Sequence, residues 1–179
     1  GTSITGWPIV FYPLGSGSAG SEPAVITKNG ITTILSNTDH YVLSGGLYQT
    51  VPSVTSYTSN GIQRWNYILP NIFSSFSYPA VGDVDSDGTY EVVLSLRDAT
   101  HSFFILDALT GGIKYTWSIP QQFRWSYNYN TLSDLDRDGY LEILTHDTLY
   151  NYQDLYVYAV DIKGNFLPGY PRIIFEQIN

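Results

Sequence analysis

The chain has 179 residues, of which 43% are hydrophobic and only 13% charged, enough for one globular domain with a sizeable core. It carries no Cys and a net charge of −8, and it has neither a basic stripe nor a run of about 18 apolar residues. This composition rules out a disulfide framework and argues against a nucleic-acid partner or a membrane-inserted helix. Its 16 Tyr, 8 Phe and 4 Trp favour sheet.

In chain order, residues 1–21 contain a short apolar strand, Gly6-Trp7-Pro8-Ile9-Val10-Phe11, and a Gly/Ser linker over 15–21. Gly15 to Gly20 match G-x-G-x-x-G only formally, because a strand rather than a helix follows. Residues 22–70 form a first repeat. It opens on Pro23-Ala24-Val25-Ile26-Thr27, an Asn29-Gly30 turn and Ile31-Thr32-Thr33-Ile34-Leu35, the pattern of a two-residue hairpin. Residues 71–120 and 121–179 repeat this plan, with an acidic loop in place of the Asn-Gly turn. Each copy continues with an apolar strand, a polar Gly turn and a strand ending in an aromatic, as in Tyr57–Trp65, Phe104–Trp117 and Leu155–Pro171. No stretch sustains a helical period. The expected fold is all-β, with three four-stranded units on the scale of propeller blades.

The two acidic loops organise the chain. Asp83-Val84-Asp85-Ser86-Asp87-Gly88-Thr89-Tyr90-Glu91 and Asp134-Leu135-Asp136-Arg137-Asp138-Gly139-Tyr140-Leu141-Glu142 share the spacing D-x-D-x-D-G-x-x-E. Alternating acids in a turning loop point inward, Gly at the sixth position permits the sharp turn, the seventh offers a carbonyl and the ninth closes the cage. Six to eight hard oxygen ligands suit Ca2+, so the pattern predicts two calcium sites. Strand-like flanks and an acid at position 9 instead of 12 separate these loops from EF-hands. They hold eight of the 16 acids, leaving eight acids against eight Lys and Arg, so the remainder of the chain is neutral.

PAVGDVDSDGTYEVVLSL and TLSDLDRDGYLEILTHD resemble the FG-GAP (VCBS-type) repeat, the calcium-loop blade of integrin α-chain propellers and many secreted bacterial proteins. The likeness extends over about residues 22–175. It implies calcium ligation by Asp83, Asp85, Asp87, the Thr89 carbonyl and Glu91, and by Asp134, Asp136, Asp138, the Tyr140 carbonyl and Glu142. The first copy has Lys28-Asn29-Gly30 in place of acids, and no metal is expected there.

Three blades cannot close a ring. The opening strand Gly6–Phe11 looks like Gly169–Phe175, the outer strand of the last copy. The chain is therefore expected to be an incomplete propeller, either part of a longer one or a protomer that meets further copies through its edges as a ring or filament. His40, His101 and His146 have no metal-site spacing, no G-x-S-x-G is present, and the loop acids are accounted for by calcium. No active site is expected. Trp125, Tyr127 and Tyr129 fall on one face of an alternating strand and offer either inter-blade packing or a lectin-like sugar platform. Ser/Thr-rich residues 50–59 suggest O-linked sugar. These features together predict an extracellular, calcium-stabilised structural or adhesive module, with a carbohydrate-binding propeller as the alternative. Its partners would be further copies, glycans or another surface protein.

Overall fold

The structure, a computed structural model, describes residues 23–44, 46–68, 77–95, 102–118, 129–148 and 154–176. Twelve strands and no helix occur among them, arranged as three four-stranded antiparallel sheets. The first contains β1 (Ala24–Lys28), β2 (Ile31–Ser44), β3 (Leu47–Thr58) and β4 (Gln63–Ile68). β5 (Ala80–Gly82), β6 (Glu91–Ser95), β7 (Ser102–Asp107) and β8 (Ile113–Ser118) make the second. The third holds β9 (Thr131–Ser133), β10 (Glu142–Thr148), β11 (Asp154–Val160) and β12 (Arg172–Glu176). Every sheet is a meander whose neighbours follow chain order.

The first hairpin turns on Asn29 and Gly30, both at positive φ, and pairs Lys28 with Ile31, the geometry that Asn-Gly favours between twisted strands. In the second and third sheets the corresponding connection is an acidic loop. Gly82 pairs with Glu91, and Ser133 with Glu142, so each loop is clamped where its closing acid begins a strand.

The sheets pack on one another through alternate faces of β6. Val92 and Leu94 join Leu35, Val54, Leu106 and Ala108 in one core, while Val93 joins Phe103, Ile105, Ile143, Tyr158 and Val160 in another. With apolar partners on both faces, β6 is buried at all five positions. This explains why EVVLS shows no polar alternation. The short first strands lie next to one another, β1 beside β5 and β5 beside β9, and Tyr78 makes a parallel bridge to Tyr129.

Two tryptophans fasten the packed sheets. Trp65 of β4 donates from Nε1 to the Ala108 carbonyl at 3.1 Å, and Trp117 of β8 donates to the Ile162 carbonyl at 3.1 Å. Each indole lies over a glycine of the next sheet's hairpin turn. A Cβ on Gly111 would come within 2.7 Å of Trp65, and one on Gly164 within 2.7 Å of Trp117. Both glycines have φ near the left-handed region, so only Gly meets the turn and the ring at once.

Two expectations change. β2 and β3 are longer than the repeat pattern indicated, pairing continuously from Thr33↔Thr58 to Ser44↔Leu47. Within residues 50–59, Ser53, Thr55 and Ser56 are buried on β3, so these three hydroxyls are not available for O-linked sugar. The strand at 6–11, the linker at 15–21, His101, and Trp125 and Tyr127 lie outside the described residues.

Candidate metal centres

The two acidic loops fold alike because their carboxylates capture the same backbone amides. Gly88 N–H donates to Asp83 Oδ2 at 3.0 Å, and Gly139 N–H to Asp134 Oδ2 at 3.3 Å. Asp87 Oδ1 accepts the Thr89 amide at 2.7 Å, and Asp138 Oδ1 the Tyr140 amide at 2.9 Å. The closing acids reach back across the loop: Glu91 Oε2 accepts Val84 N–H at 2.9 Å, and Glu142 Oε2 accepts Leu135 N–H at 2.7 Å. Position 4 is left-handed in both loops, Ser86 at φ 55° and Arg137 at φ 67°. The shared turn therefore rests on carboxylate-to-amide bonds rather than on the sixth-position Gly alone. The repulsion expected among four acids is offset in part by these amides.

Oxygen atoms of Asp83, Asp85 and Glu91 gather within 4.8 Å of one another, and those of Asp134, Asp136 and Glu142 do the same. The fifth-position acids, Asp87 and Asp138, lie outside these two groups of three, each spending one oxygen on its own loop's amide. Thr89 contributes its hydroxyl as well, 2.6 Å from Asp87 Oδ1 and 3.1 Å from Glu91 Oε1.

The donor set is carboxylate only, which suits a hard cation and not zinc or copper. Asp83 Oδ1 is buried without a hydrogen-bond partner, the condition of an acceptor that a cation would satisfy. No family model, curated protein or solved structure matches the chain. The chemistry of the two sites therefore rests on their own geometry.

That geometry includes a residue absent from the sequence motif. Lys114 extends its ammonium into the first loop, 2.7 Å from Asp85 Oδ2, 2.7 Å from Asp87 Oδ2 and 2.9 Å from Glu91 Oε1. Burial opposes its charge, but the three carboxylates outweigh that and raise its pKa above the ordinary lysine value. The exposed Asp87 is held below the usual carboxylate range, chiefly by the Lys114 bond and then by Thr89. Glu91 responds in the other direction. It is fully buried, and desolvation pushes its carboxyl up although Lys114 and the Val84 amide favour the charged form. Glu142 is also raised, first by burial and further by Asp136, Asp138 and Asp134, with the Leu135 amide opposing. Among the described residues no Lys or Arg forms an ion pair with the second loop's acids.

Other acids near turns are spent on the backbone. Asp107 Oδ1 accepts the amides of Leu109 and Thr110 at 3.0 and 2.7 Å, and Asp161 Oδ1 those of Lys163 and Asn165, both at 2.8 Å. Of the three aromatics considered for sugar, Tyr129 is described. It is 53% exposed, stacks on Tyr78 with ring centroids 4.7 Å apart, and has the His146 ring parallel at 6.3 Å. The loops also touch: Lys28 donates to the Gly88 carbonyl, and Ser86 to that of Gly139.

Proposed function

We propose that this chain is a calcium-stabilised structural or adhesive β-propeller module. The observation that carries the reading is the recurrence of one loop geometry. Two segments 51 residues apart close with matching amide bonds and each converge three carboxylates within 4.8 Å. Calcium at these loops would supply charge compensation, coupling its binding energy to the folded hairpins. Asp83, Asp85 and Glu91, with Asp87 and the Thr89 carbonyl, form the first proposed ligand set. Asp134, Asp136 and Glu142, with Asp138 and the Tyr140 carbonyl, form the second.

The blade reading draws support from the stacked meanders, adjacent first strands and repeated Trp-over-Gly fastening between consecutive sheets. Three blades leave end faces and edges. Val25, which points away from the second sheet, is 61% exposed and gives further copies an apolar foothold. The extracellular placement follows from the millimolar calcium that weak oxygen sites exploit. We read the chain as non-enzymatic, since the motif acids serve the two loops and Asp107 and Asp161 serve turns. For Tyr129, its stack on Tyr78 favours packing over the alternative of glycan binding.

Sedimentation in calcium and again in chelator tests the assembly reading. A discrete oligomer or filament in calcium that loosens in chelator is the expected result. A monomer in both conditions would remove the assembly argument, and failure to bind calcium in dialysis would remove the metal argument.

A further inference from the structure

The two loops share a motif but not a third partner. Lys114 reaches the first loop because a bulge frees it from the ladder: Leu106 pairs with Ile113, the register slips, and Ile105 pairs with Tyr115. The third sheet repeats that corner. Val160 bridges Phe166 as Leu106 pairs Ile113, and the residue that follows is Leu167. Leu167 lines the same cavity as Asp136, Asp138 and Glu142, and Lys163 lines it too but forms no ion pair with these acids. A lysine and a leucine thus occupy corresponding places beside otherwise matching acid sets.

We propose that Lys114 is a tethered cation occupying the metal position of the first loop, so that the two loops take calcium unequally. The inference rests on the calcium reading above. An ammonium has three protons to donate, and Lys114 directs them at acids from positions 3, 5 and 9 of the motif, oxygens that a divalent ion would need. Its side chain is 21% exposed, leaving a path by which the ammonium can swing to solvent when calcium enters. The first loop therefore has an internal counter-ion when calcium is scarce and binds the metal only by exchange. With Leu167 at the corresponding place and the Lys163 ammonium not paired with its acids, the second loop has no cation seated among its carboxylates and binds first.

Calorimetric titration of the chelator-stripped protein with calcium chloride tests this. The wild type should show a tight event and a second one weaker by about tenfold or more, since ligand charge tunes such sites over this range. Asp134→Asn should abolish the tight event, Lys114→Met should bring the weak one to within about threefold of it, and Leu167→Lys should weaken the tight one by about tenfold. If Lys114→Met does not fold without calcium, Leu167→Lys and Asp134→Asn still decide the matter. Two equal events in the wild type, a tight event that survives Asp134→Asn, or no effect of Leu167→Lys would overturn the inference while leaving calcium binding intact. No uptake by any of the four proteins would overturn both readings.

Discussion

Glu91 and Glu142 hold the same motif position in unlike surroundings. Glu91 accepts from a backbone amide, a hydroxyl and an ammonium, whereas Glu142 has the Leu135 amide and three neighbouring aspartates. Removing Asp136 from the second loop costs its bond to the Asp138 amide but relieves repulsion, so the net change without calcium should be small. With calcium at about a hundred times Kd, the lost binding is worth about 2.7 kcal/mol. Asp136→Ala is expected to lower the melting midpoint by about 5–10 °C in calcium and little in chelator, read by differential scanning calorimetry. The Lys114→Met variant should behave conversely, losing stability in chelator as three acids lose their shared partner. The six converging acids were legible because the loop motif is local, its spacing fixed by one turn. Lys114 was not, since it belongs to a later strand and reaches the loop only through the register slip before Tyr115.

At the level of elements, the Trp-over-Gly fastening ties each sheet to the next hairpin. Trp117→Phe should cost about 1 kcal/mol for the lost bond to the Ile162 carbonyl. Trp117→Ala should cost about 3 kcal/mol, as ring packing against Phe103 is lost as well. Gly111→Ala should destabilise by about 2 kcal/mol or more, since its left-handed φ and the overlying Trp65 ring both resist a Cβ. Urea unfolding of the three variants checks these values, and equal stability of Gly111→Ala and wild type would contradict the fastening. An aromatic at the end of each copy's last strand was visible in the residues, but its target was not, because that turn lies 43 residues on for Trp65 and Ala108. The length of β2 and β3 was also hidden, since Ser, Thr, Asn and Asp interrupt the apolar alternation from Ser36 to Asp39 that marks a strand.

Across the whole molecule, four-stranded units and their order follow from a repeat that the sequence displays, whereas the way they stack depends on contacts between copies. β6 illustrates the difference: its apolar run identifies a buried strand, and only the packing reveals that alternate residues serve different cores. Because, among the described residues, each fastening joins consecutive sheets, the described sheets should behave as a linear array with nearest-neighbour coupling. Its middle unit is held from both sides and its outer units from one, so opening should begin at an end and travel inward. Hydrogen exchange should then record the slowest amides in β6 and β7, with the outer sheets exchanging through smaller openings. Uniform protection across all three would mean that the array opens as a single cooperative body. A stepwise array has a mechanical consequence too: pulled along its length, it would yield one sheet at a time and lengthen without losing its centre.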